Sequence, residues 1–523
     1  MEQHRTDMGG VVETTHGQVR GNVVDTPYGA VRQFLGIPFG KPPVGEWRFC
    51  APEAVEPWSG VREAVSFGPD PIQSVDGPFT GMIPGTSTTA VSEDCLTLNL
   101  WAPSEAEPDL PVLVWIYGGA YLTGGSLFPL YNGARLAAEQ QVVVASVNYR
   151  VGALGFMDLR QIPGGEGTTA NCGLHDVRLG LEWLGANAAR FGGDPATLTA
   201  FGESAGAGSI LHLLGSPDIS SVLRRAIMQS PGVEMTQTPD TAAEVARAFM
   251  DHAGVSDVAG LRQLSTEAVV AAQSQTVMGL LAKVGPMPFH PVVDGSIIPE
   301  KPLELLGTGA VTDIDVLLGA TAHELRLFKQ ELPAQSSEQI LHRTVSGHMA
   351  ERTGAEPTAA EVDAVVGEYR QGAAGTAWTS DSDVLTAINT DVSMREPIQR
   401  IADFRVAAGT LTYMYDFRWC SQADPDMGAF HAIDLPFVFD GFGVDGWREF
   451  IGADEAAEAL GRGMRSAWAA FARSGDPSTS ELGHWPSYEL DERMTMILDS
   501  DSTLASDPLS SERAMWRPSA SEN

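Results

Sequence analysis

Apolar residues in this chain come in short bursts. The longest, such as 110–117 and 142–147, run for about eight residues or fewer. A membrane-spanning helix needs about twenty, so these bursts read as strands buried on both faces. Strands are predicted at 96–101, 112–117, 142–148 and 197–201, with helical spacing between them. Leu174, Val177, Leu181 and Leu184 share one face of a helix over 174–191, and Gly192-Gly193 supplies its stop. Residues 131–140 read as a shorter helix, and 207–214 as another. Nearer the N-terminus, strands at 19–24 and 30–35 flank the turn Asp25-Thr-Pro-Tyr-Gly29. Short apolar strands alternating with helices imply a mostly parallel sheet covered on both faces, an α/β architecture.

Two stretches break that rhythm. Residues 241–277 and 338–370 are Ala-rich, amphipathic and poor in strand signals, and read as helical cap insertions within one large domain spanning 1–523. The Ser- and Asp-rich segment 500–523 is expected to be a loose tail. The 67 acidic residues against 33 basic ones set a formal charge of −34, which excludes a broad basic face for nucleic acid or an anionic membrane. Disorder does not follow, because charged residues are 19% and hydrophobic ones 43% of the chain. The opening MEQHRTDMGG lacks the apolar core of a secretory signal, and four cysteines are too sparse for a disulfide framework or a zinc pattern. A cytoplasmic protein is the expectation.

Chemistry enters at Gly202-Glu203-Ser204-Ala205-Gly206. Chance alone supplies about 0.4 copies of such a pattern in a chain of this length, so its context matters more than its letters. It lies between a β-branched strand and a helix, where a nucleophile elbow belongs. Small flanking residues let a strained turn expose the Ser204 hydroxyl; a plain Gly-rich turn is the competing reading. At the end of strand 112–116, Tyr117-Gly118-Gly119-Ala120 can point main-chain N–H groups into a cavity to hold an oxyanion. A serine nucleophile also needs a base and an orienting acid. The order Ser, acid, His, each after a strand, points to the segment after 314–318 that contains His323-Glu324, and to His431 within Met427-Gly-Ala-Phe-His431-Ala-Ile-Asp434. Order alone leaves other histidines open.

A wider set of segments resembles the type-B carboxylesterases, the family that contains the cholinesterases and the bacterial para-nitrobenzyl esterases. Phe34-Leu-Gly-Ile-Pro-Phe39 with Pro42-Pro-Val-Gly45 and Arg48-Phe49 resembles its N-terminal signature, and Ser92-Glu-Asp-Cys-Leu-Thr-Leu-Asn99 its second. Asn148-Tyr-Arg-Val-Gly152, Phe191-Gly-Gly-Asp-Pro195, Phe201-Gly-Glu-Ser-Ala-Gly206, Ala226-Ile-Met-Gln-Ser230 and Pro291-Val-Val-Asp-Gly295 follow in family order. The resemblance covers residues from about 12 to about 500. It implies an α/β-hydrolase fold, with a mostly parallel central sheet flanked by helices and helical cap insertions. It implies Ser204 as nucleophile, Glu324 as acid and His431 as base, with oxyanion donors at Gly119, Ala120 and Ala205 and with Ser230 supporting the acid and base. It also implies two structural ion pairs, Arg48 with Glu93 and Arg150 with Asp176. No metal or cofactor is called for, and the expected partner is a small uncharged ester, aryl esters included, taken by a monomer.

Departures from the family pattern are specific. His323 precedes Glu324 where Asp is common, Phe430 precedes His431 where Cys is common, and Tyr117 replaces a frequent His. The usual partner of Cys95 has no counterpart near Pro71, so Cys95 is expected to be a free buried thiol. In the loop 71–93 the only aromatic is Phe79, which argues against the Trp-dependent recognition of choline esters. Pocket residues are expected in that loop, in 278–289 and in the cap helices. An amidase or carbamate hydrolase using the same triad is the alternative activity. A non-catalytic adhesion protein, also found in the family, is disfavoured by the intact Ser204, Glu324 and His431.

Overall fold

The computed structural model describes residues 8–74, 82, 84–85, 90–105, 107–310, 313–372, 378–444 and 446–517. Its centre is a run of seven parallel strands within a mixed sheet. Across the sheet they lie in the order Val143–Val147, Val112–Ile116, Thr199–Glu203, Arg225–Gln229, Asp315–Thr321, Thr412–Phe417 and Met494–Leu498. All residues of the inner five are buried, so their middles are apolar or small rather than alternating, while charged or amide residues such as Glu203, Arg225, Gln229 and Asp315 stand at strand ends. Met8–Glu13, Gln18–Thr26, Gly29–Pro38 and Thr97–Pro103 extend one side antiparallel. The hairpin between Gln18–Thr26 and Gly29–Pro38 closes with Thr26 opposite Gly29, as the turn signal required.

Register decides which side chains share a face. Phe201 lies opposite both Trp115 and Ile227, and Leu317 opposite Ile227 and Tyr413. The Trp115 and Phe201 rings meet at 4.9 Å and are covered by Phe439 and Tyr131. Helix Ala205–Leu214, buried along its whole length, packs beside Thr199–Glu203. The predicted helix over 174–191 is Cys172–Asn187 followed by a single 3-10 turn, Ala188–Phe191, and stops at Gly192 with φ 97°. The strand predicted at 197–201 begins two residues later. Asp194 caps a 3-10 turn at Pro195–Thr197 by accepting the Ala196 N–H at 2.9 Å, and that turn consumes the first β-branched residue.

The two strand-poor insertions are helical but packed differently. Helices Pro239–Ala253, Val258–Arg262 and Thr266–Val284 send Phe249, Leu261 and Val269 into the main core. Helices Ser337–Thr353 and Ala359–Gly372 instead form a separate apolar cluster with Asp381–Thr390: Leu341, Val345, Val362, Val366, Val384 and Ile388 are closed over by Trp516. Over 500–517 the tail therefore departs from the loose end expected for 500–523, while 518–523 lie outside the described residues. Thr503–Ser506 is an antiparallel edge strand on Met494–Leu498, and helix Ser510–Trp516 delivers a buried indole whose Nε1 donates to Tyr369 at 2.8 Å. One large apolar side chain outweighs the polar residues around it. Among the described residues, no helix is long and apolar enough to cross a membrane.

Candidate active site

Five neighbouring parallel strands each release one piece of the site at their C-terminal ends, where open α/β sheets form their crevices. Val112–Ile116 leads to Gly118–Ala120, Thr199–Glu203 to Ser204, and Arg225–Gln229 to Ser230. Asp315–Thr321 leads to Glu324, and Thr412–Phe417 to the longer loop that carries His431.

Ser204 sits at φ 55° and ψ −123°, a strained conformation between the last strand residue and the first helical one. Its neighbours leave no room for side chains. A Cβ at Gly202 would lie 2.7 Å from the Ile116 carbonyl oxygen, and one at Gly206 would lie 2.0 Å from the same atom. The elbow is pinned from the next strand, where the Ser204 N–H donates to Gln229 O at 3.0 Å.

The Gly pair lies directly against this elbow. A Cβ on Gly118 would be 3.0 Å from Ser204 Cβ, and Gly119 and Ala120 take φ of 122° and 56°. Behind them Tyr117 and Tyr149 stack at 4.3 Å and exchange hydrogen bonds, each hydroxyl donating to the other's carbonyl at 2.7 Å. This buried aromatic pair fixes the strand end from which the loop departs. Among the described residues, the N–H groups of Gly119, Ala120 and Ala205 have no protein acceptor, the last because it opens a helix.

Glu324 is fully buried and saturated with donors. Its Oε1 accepts from Ser230 Oγ at 2.5 Å and from the Thr321 N–H at 2.8 Å, while its Oε2 lies 2.5 Å from His431 Nδ1. The two residues are also joined by main chain, His431 N–H donating to Glu324 O at 3.1 Å. All three of Ser230, Glu324 and His431 are thus brought together from segments up to 201 positions apart in sequence.

Sequence reasoning missed a second carboxylate. Glu203, inside the elbow motif, places Oε1 3.0 Å from His431 Nε2, so the imidazole lies between two acids. Asp434 is close by, fully buried, and receives Gln229 Nε2 at 2.8 Å. Burial raises Glu203 to about 8, helped by the charges of Asp434 and Glu324 and opposed by His431. Burial likewise raises Asp434 to about 6. Burial works to lower His431, but the Glu203 and Glu324 charges outweigh it and raise the imidazole to about 9. Glu203 was quoted only as part of the elbow segment, and the pattern there does not tell where its side chain points.

The expected ion pairs form. Arg48 grips Glu93 through two bonds of 2.8 and 2.5 Å, and Arg150 grips Asp176 through two of 2.8 Å. Arg48 also donates to the Leu261 and Leu264 carbonyls, tying the N-terminal loop to the first insertion. Cys95 is a free and fully buried thiol. Phe79 lies outside the described residues, as does most of 75–89.

Comparison with known proteins agrees with this geometry. The carboxylesterase family matches residues 9–516. The chain is 33% identical over 519 residues to the para-nitrobenzyl esterase of Bacillus subtilis, covering 98% of this chain and 99% of that protein. It is 34% identical to the acetylcholinesterase of Bungarus fasciatus, over 91% of this chain and 80% of that one. A solved para-nitrobenzyl esterase structure superposes with a TM-score of 0.84 at 33% identity, covering 98% of this chain and 100% of that one. With an α/β-hydrolase sheet, a serine at the elbow and a family match over nearly its whole length, the chain belongs to the carboxylesterase family and is a serine hydrolase of carboxylic esters.

Proposed function

We propose that Ser204 is the nucleophile, His431 the general base and Glu324 the orienting acid for hydrolysis of small to medium uncharged esters, aryl esters included. The observation that carries this reading is the Glu324–His431 contact of 2.5 Å, with His431 Nε2 3.0 Å from Glu203, the residue just before a serine strained out of strand and helix geometry at φ 55°. His431 takes the Ser204 proton as the hydroxyl attacks the ester carbonyl. Glu324 keeps the imidazole proton on Nδ1, so Nε2 is the acceptor, and stabilises the imidazolium that forms. The N–H groups of Gly119, Ala120 and Ala205 receive the oxyanion, each worth about 3 kcal/mol in the transition state. His431 then protonates the departing alkoxide, and water opens the acyl-enzyme by the same steps reversed. Ser230 supports the acid by holding its second oxygen. We place the enzyme in the cytoplasm as a monomer; its four free thiols favour a reducing compartment.

The test is a chain-length series of aryl esters, matched anilides and a serine-directed organophosphate. Ester turnover should fall by about 10⁴-fold or more in Ser204→Ala with the fold intact. The organophosphate should label Ser204 alone. Turnover retained in Ser204→Ala would overturn the assignment, and anilides cleaved as fast as esters would make the enzyme an amidase.

A further inference from the structure

His323, immediately before the acid, has no part in the steps above, yet it touches the loop that carries the base. The two loops face one another in a short ladder. His323 N–H donates to Ala429 O at 2.9 Å, and two residues on His431 N–H donates to Glu324 O at 3.1 Å. Between these rungs the His323 side chain adds a bond of its own, its Nδ1 accepting the Ala429 N–H at 3.0 Å. Gly428 makes the approach possible: a Cβ there would lie 2.8 Å from Nδ1 and 2.9 Å from the Trp378 ring. Trp378 stands edge-on to the imidazole at 4.5 Å and is stacked in turn under the Arg326 guanidinium at 4.2 Å. Arg326 donates to Asp426 O and, at 2.9 Å, to Asp383. The base loop is therefore held at 426, 429 and 431 by three residues of the acid loop.

We propose that His323 is a positioning residue: its neutral imidazole, acting as an acceptor at Nδ1, sets the loop of His431 in register with Glu324. The proposal rests on the triad reading above. His323 Nδ1 is the strong acceptor of the buried Ala429 N–H, whose other neighbour is the weakly accepting Cys420 sulfur, so losing the imidazole nitrogen leaves that donor poorly satisfied. A loop that relaxes by about 1 Å at Ala429 carries His431 with it, and a displacement of that size in a catalytic group lowers turnover by up to about 10²-fold. Burial, with the charges of Arg395, Arg326 and Arg418 and against that of Asp416, pushes His323 down to about 4, so the acceptor form persists through the neutral range. His323 also lines a cavity of about 780 Å³ between the acid loop and the second insertion, which leaves room for substitution.

Three variants separate this from a general packing role. An Asn amide oxygen can stand where Nδ1 stands; a Gln amide cannot, and a Leu offers no acceptor. In hydrolysis of one aryl ester, His323→Gln and His323→Leu should lower kcat roughly 10- to 100-fold with KM within about twofold, while His323→Asn recovers most of the loss. The downfield proton resonance of His431 Nδ1–H should weaken in the Gln and Leu variants and persist in Asn. Equal responses of Asn and Gln, or a Leu variant within about twofold of the parent, overturn the proposal; if Leu does not fold, the Asn–Gln comparison decides. Ser204→Ala is run alongside. Turnover surviving that change overturns the triad and this proposal together, whereas its loss with Asn and Gln alike overturns this proposal alone.

Discussion

One imidazole held between the carboxyl groups of Glu203 and Glu324, with Asp434 buried nearby, makes the pH behaviour of individual residues informative. Glu203 and Glu324 both raise His431, so the protonated base is favoured and the acid limb of activity is drawn upward. Replacing Glu203 with Gln removes one of these charges while keeping the shape. The acid limb of kcat/KM in Glu203→Gln should then move to lower pH by about one unit or more, read from a pH–rate profile. An unmoved limb would mean that Glu203 does not sense the base's proton. Ser230 tests the other side of the imidazole. Ser230→Ala deprives a buried carboxylate of a charge-assisted bond worth about 1.5–3 kcal/mol, so kcat/KM should fall about 10- to 100-fold. Of these residues Ser204 was legible from its motif, and Glu324, His431 and Ser230 from the family resemblance. Glu203 stands in the family segment 201–206, but its contact with His431 was not legible there, because it depends on where its side chain points.

Elements divide by how local their causes are. Strand and helix identities followed from apolar spacing, and errors of two residues arose where a side-chain cap competed, as Asp194 does before Thr199–Glu203. The C-terminal segment shows the opposite case. Its Ser- and Asp-rich composition suggests a loose end, but Trp516 closes an apolar cluster made by helices more than a hundred residues earlier. Trp516→Ala should cost about 3–5 kcal/mol, felt by that cluster first because it is separate from the main core. Hydrogen exchange should show 337–395 opening before the sheet; simultaneous loss of protection would show that both cores melt as one unit.

At the scale of the molecule the formal charge of −34 is expected to act on traffic through the site. A negative field disfavours anionic ligands and so assists release of the carboxylate product. Screening within about 8 Å at physiological ionic strength weakens that field. Inhibition by the acid product should therefore strengthen as sodium chloride is raised from low to high concentration. If the inhibition constant is insensitive to salt, the charge serves solubility alone.

What sequence alone determined is what local physics encodes: buried strands from apolar runs, helices from their spacing and stops, the elbow from Gly202, Ser204 and Gly206, and the family from motifs in order. Contacts across long separations were decided only by the tertiary structure. Glu203 meets His431, His323 meets Ala429 across 106 positions, and Trp516 meets Tyr369 across 147. The direction of a side chain relative to such a distant segment is set by sheet order, register and packing together, and no single stretch of the chain carries that information.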